Sequence, residues 1–137
     1  MTTMHASGSF DVRLAPQPGD DATGGDAIGR MALEKRFHGD LDATSKGQML
    51  AHRSAFAGSA GYVAMELVRG TLGGREGTFV LQHSGTMDRG AANLDLAVVP
   101  DSGTGALEGL VGTMAIRIAE GGAHFYAFDY ELPDAAS

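Results

Sequence analysis

The chain has 137 residues, 43% hydrophobic and 20% charged, with a net charge of −7, 21 glycines and no cysteine. This length and composition fit one domain with a sizeable core and argue against global disorder. The missing cysteines exclude disulfides and thiolate metal sites. Lys and Arg are scattered with no basic stripe, which excludes a phosphate-binding face, so neither nucleic acid nor an anionic membrane is an expected partner.

The N-terminus, residues 1–6, is expected to be flexible. No basic segment followed by an apolar run stands there, and no stretch approaches the ~18 apolar residues of a membrane span, so the expected setting is the soluble cytoplasm. Phe10, Val12 and Leu14 alternate with Ser9, Asp11 and Arg13 as a first strand, which Pro16 and Pro18 are expected to break. A loop over 16–27 follows, rich in Gly, Asp and Pro. Met31, Leu33, Lys35 and Phe37 alternate with Ala32, Glu34, Arg36 and His38 in a second strand. Gly39-Asp40 reads as a bend, and Leu41 to Ser54 as a third strand kinked near Gly47.

Ala60 to Leu72 is a fourth strand, and a turn from Gly73 to Gly77 leads into a fifth, Thr78 to Met87, as its hairpin partner. Asn93 to Val99 is the sixth, Ala106 to Ala119 the seventh, and Gly121-Gly122 turns into the eighth, Ala123 to Leu132, before a tail over 133–137. Gly103, Gly105, Gly109 and Gly112 each cost a helix about 1 kcal/mol relative to Ala. Gly109 and Gly112 are therefore expected inside the seventh strand, at corners of a tightly curved sheet. Strands this regular, without β-α-β alternation, predict a single all-β domain over 1–137, a sandwich or an up-and-down barrel.

Four segments carry a resemblance over nearly the whole chain. They are Phe37 to Leu41, Gly61 to Glu66 with Gly70, Gly74 to His83, and Pro100 to Gly112. With these the chain resembles the bacterial domain of unknown function 3224, grouped with allene-oxide-cyclase-like barrels. The resemblance implies an eight-stranded antiparallel, calycin-like β-barrel with a central cavity, and nothing settled about activity. Asp101 stands where that family's turn would carry glycine. Allene oxide cyclases are a more distant likeness, mostly in the glycine spacing at 103–112; they set the stereochemistry of ring closure of a lipid epoxide, a chemistry that fold alone does not transfer.

Strand parity sorts the candidates for a site. His124, Tyr126, Phe128 and Tyr130 share one face of strand eight; Tyr62, Ala64, Glu66 and Val68 share one of strand four, whose other face (Val63, Met65, Leu67) is as apolar; Phe79, Leu81 and His83 share one of strand five. Catalytic candidates are Glu66, His83 and His124, with Tyr62, Phe79, Tyr126 and Phe128 expected around the substrate. Glu66 would be a carboxylate whose pKa desolvation raises toward general acid–base use, with a histidine as partner. The alternative is a structural ion pair of Glu66 with Arg36, Arg69 or Arg75, and tyrosines that merely fill the core.

The five histidines are too dispersed to suggest a metal. No Gly-x-Ser-x-Gly elbow is present, and the seven methionines read as adaptable packing. No cofactor is expected. Three functions stay open: a cofactor-independent isomerase or cyclase acting on a small, largely apolar metabolite, a non-catalytic binding barrel for such a molecule, and a self-filled structural barrel. The partner expected is a small apolar molecule, with assembly as a small homo-oligomer.

Overall fold

The computed structural model describes residues 2–133. Eight strands run in order: β1 Met4–Gln17, β2 Gly29–Phe37, β3 Leu41–Arg53, β4 Ala60–Leu72, β5 Arg75–Asp88, β6 Ala91–Val98, β7 Val111–Ile118 and β8 His124–Glu131. Each pairs antiparallel with the next, and β1 pairs with β8, closing the barrel. No α-helix occurs among the described residues; three single 3₁₀ turns lie in the connections, at Asp21–Thr23, Gly25–Ala27 and Gly105–Leu107.

The period-two pattern sets which face of each strand is inside. In β4, Tyr62 is half-buried and Ala64, Glu66 and Val68 are buried, whereas Val63, Met65 and Leu67 are 50%, 50% and 45% exposed. Apolarity alone does not separate these two faces; the aromatic and aliphatic faces of the neighbouring strands do. Phe79, Leu81 and His83 on β5 and Tyr126, Phe128 and Tyr130 on β8 all point inward.

One end of the barrel is filled. Phe37, Phe79, Phe128, Leu41, Leu72, Leu107 and Leu110 are completely or almost completely buried there. Phe79 and Phe128 stack at 6.0 Å between ring centroids. The connection from β6 to β7 seals this end. Thr104 accepts from the Thr78 amide at 3.1 Å, and the Gly105–Leu107 turn sets Leu107 into the core.

This seal corrects the seventh strand, which begins at Val111 and not at Ala106. The apolar Leu107 and Leu110 plug the barrel end; they do not line its wall. Gly109 accordingly lies outside the strand, at φ +83°, with Pro133 packed where a side chain would project. Gly112 lies within β7, opposite Tyr130. Asp101 adopts φ 62°, the left-handed conformation that a glycine would take without strain.

Two further expectations are corrected. The N-terminus is not loose from residue 4, because Met4 to Phe10 pair with β8 and Ala6 is buried. Pro16 and Gln17 belong to β1, where Pro16 sits opposite Met31. Beyond Phe10, β1 pairs only with β2, so its amide-free proline interrupts no second ladder. β3 keeps its pairing through Gly47, where a side chain would collide with the Met65 carbonyl of β4. The expected tail over 133–137 lies, after Pro133, outside the described residues.

Candidate functional site

The open end of the barrel, opposite the seal, holds a pocket of about 610 Å³. Met31, Met49, Ala51, Tyr62, Gly85, Met87 and Leu94 contribute to its lining from β2 to β6. Register explains the set: Gly29, Ala51, Tyr62, Gly85 and Leu94 align across the strands, and small residues beside Tyr62 leave room for its ring. A side chain at position 85 would collide with that ring.

Beneath the pocket lies a buried polar network on an otherwise apolar wall. Glu66 is 1% exposed and His83 3%. One carboxylate oxygen of Glu66 lies 2.9 Å from Lys35 Nζ and 2.7 Å from His83 Nε2; the other accepts from Ser45 Oγ at 2.5 Å. Tyr62 Oη lies 3.4 Å from His83 Nδ1. No buried side-chain polar atom is left without a partner among the described residues, as a network in low dielectric requires.

Burial pushes the Glu66 carboxyl up, but hydrogen bonds from His83 and Ser45 and the Lys35 charge outweigh it and hold it below the ordinary value. This corrects the expectation of a raised pKa. Enclosed and bonded to Lys35, Ser45 and His83, the Glu66 carboxylate stands as the counter-charge to Lys35. Tyr62 is shifted upward, chiefly by burial and then by the Glu66 charge, so its hydroxyl keeps its proton.

The structure thus brings Tyr62, Glu66 and His83 together and leaves the other candidates elsewhere. His124 packs against the Phe10 ring at 5.1 Å. Phe79 and Phe128 belong to the filled end. Tyr126 donates to the His38 carbonyl at 2.7 Å and accepts from the Leu41 amide at 2.9 Å, pinning the β2–β3 bend. None of these four lines the open pocket.

The cation beside Glu66 is Lys35, not an arginine; Arg36 points outward to Asp42 at 2.5 Å. Lys35 was the missed residue, and its signal was a lysine in the apolar phase of β2, between Leu33 and Phe37. Its ammonium also lies over the Phe10 ring, 4.9 Å from the centroid. Ser45 and the pocket methionines carried no comparable signal. Among the described residues no three His, Cys, Asp or Glu side chains stand close enough to hold a metal ion, and no helix is long and apolar enough to cross a membrane.

No curated protein matches the chain. A family model described as "Protein of unknown function (DUF3224)" matches residues 6–130. The chain is also similar to a solved crystal structure of a DUF3224 protein of unknown function from Shewanella oneidensis MR-1. The two are 51% identical with a TM-score of 0.89, over 98% of this chain and 100% of the other. Barrel, matched span and this similarity together show that the chain belongs to the DUF3224 family.

Proposed function

We propose that the barrel binds a small, largely apolar molecule in its open pocket, with Tyr62 as the polar anchor. The observation behind this reading is a hydrogen-bonded link between pocket and network: among the described residues lining the pocket, Tyr62 is the one hydrogen-bonded to the buried Lys35–Glu66–His83 group. A largely apolar lining with a few polar groups, here Tyr62 held from behind together with Asp26, His52, Arg53, Thr86 and Asn93, is the usual construction of a small-molecule site, and about 610 Å³ falls in the usual size range. Met31, Met49 and Met87 give the wall adaptable, polarisable surface.

Native mass spectrometry of the purified protein, with calorimetric titration of tetralin as a bicyclic apolar probe, tests the proposal. Tetralin should bind the native protein, and Met49→Trp, which fills the pocket from β3, should weaken it more than tenfold. Absence of binding to the native protein, or equal binding to the variant, overturns the pocket assignment.

A second reading, a cofactor-independent isomerase, rests on the order of the same groups. If Tyr62 took a proton from a substrate, its own could pass to His83 Nδ1, and the resulting imidazolium would face the Glu66 carboxylate at 2.7 Å. Glu66 would then be a stabiliser and Tyr62 the residue at the reacting atoms. Deuterium uptake from solvent by a bound ligand, lost in Tyr62→Phe, would support catalysis; no exchange above the uncatalysed rate would leave the binding barrel as the reading.

A further inference from the structure

The polar anchor has a direction, fixed by the groups behind it. Glu66 accepts from Lys35, Ser45 and His83 and has no proton to give. At 2.7 Å from that carboxylate, His83 Nε2 must carry its proton, since two lone pairs would otherwise face each other. Lys35 already supplies the cation that balances Glu66, so a second buried charge on His83 would stand without a counter-charge; a ring protonated on Nε2 alone presents a bare Nδ1 lone pair, and the Tyr62 hydroxyl lies 3.4 Å from it. The hydroxyl has one proton. Directed to Nδ1, it leaves oxygen lone pairs for whatever meets Tyr62 from the pocket side.

Resting on the proposed binding function, we propose that the pocket selects apolar molecules bearing a neutral hydrogen-bond donor, an alcohol, phenol or N–H group, over carbonyl analogues of the same shape. A donor completes the chain from ligand to Tyr62 to His83 to Glu66 with every proton in place. A carbonyl ligand offers only lone pairs, so Tyr62 must turn its proton away from His83 and leave a buried acceptor unpaired.

The test compares tetralin, its alcohol and its ketone by calorimetry on the native protein and on Tyr62→Phe. The three differ in one oxygen and its proton and little in shape. On the native protein the alcohol should bind about tenfold more tightly than the ketone, the size of one net hydrogen bond. In Tyr62→Phe the alcohol and the ketone should converge. If tetralin binds and the ketone equals or exceeds the alcohol, the donor preference falls and the binding pocket stands. If none of the three binds, the pocket reading falls and the preference with it. Should Tyr62→Phe fail to fold, NMR of the histidine ring nitrogens in the native protein decides: a proton on Nε2 of His83 with none on Nδ1 supports the polarity, and a proton on Nδ1, alone or together with Nε2, overturns it.

Discussion

Lys35 on β2 and Glu66 on β4 form an ion pair of 2.9 Å across the intervening β3, with side chains 5% and 0% exposed. The register makes this reach necessary, because β3 places Ser45 opposite Lys35 and Gly47 opposite Glu66. A buried pair is costly to break from one side, since the charge left behind has neither water nor partner. Glu66→Gln should therefore lower stability by about 3–5 kcal/mol, and Lys35→Met in the same chain should restore much of it. Denaturant unfolding of the single and double variants measures this; additive losses would mean that the two charges are not coupled.

The same pair sets the response to acid. Because the Glu66 carboxyl sits below its ordinary value of 4.5 when folded, its contribution is complete above that value and is lost as pH falls through the folded pKa. Tyr62, Tyr126 and Tyr130 are all shifted above 10.0, chiefly by burial, so their contribution is complete below 10.0 and is lost as pH rises through the folded values. Melting temperature should be level between these limits and fall on both sides. The Glu66→Gln, Lys35→Met chain should lose part of its acid dependence while the alkaline fall persists.

Strand order and inward faces were legible because they rest on period two, which the rings of Tyr126, Phe128 and Tyr130 display without ambiguity. The start of β7 was not, since Leu107 and Leu110 are as apolar as wall residues and only the closed barrel distinguishes a plug from a wall. In the site, Tyr62, Glu66 and His83 were found by parity on β4 and β5. His124 has the same parity and still does not line the pocket, because parity gives a face and says nothing of which side of the barrel a strand occupies: β8 pairs with β1 and β7, away from β4 and β5. Lys35 was overlooked for a related reason: a lysine in an apolar phase is usually solvated at its tip, and its partner lies two strands away.

His124 offers a direct check on that separation. Its ring packs against Phe10, and it is not among the described residues that line the open pocket. His124→Gln should change the affinity for tetralin and its alcohol less than about twofold, a negligible fraction of a hydrogen bond. A tenfold loss in calorimetry, with the melting temperature unchanged, would return His124 to the site.

Gly112 is a position where the barrel wall leaves no room for a side chain. It pairs with Tyr130, and a Cβ there would stand 2.7 Å from the Asp129 carbonyl oxygen, 2.8 Å from the Phe128 ring and 2.9 Å from Tyr130 Cβ. Two of these belong to backbone or to its first side-chain atom, and the Phe128 ring is stacked against Phe79, so little can yield. Gly112→Val should cost about 1–3 kcal/mol, as overpacking of a filled core does. Gly74→Ala is the contrasting variant. Its position has open space around it, and its φ of +85° makes the change a strain of the turn without any collision. Chemical denaturation of both separates the two causes. Gly112→Val should also weaken hydrogen-exchange protection along β7 and β8, whereas Gly74→Ala should act at the β4–β5 turn alone. An unchanged midpoint for Gly112→Val would mean that β7 and β8 can part without loss, against the close approach that seals this side of the barrel.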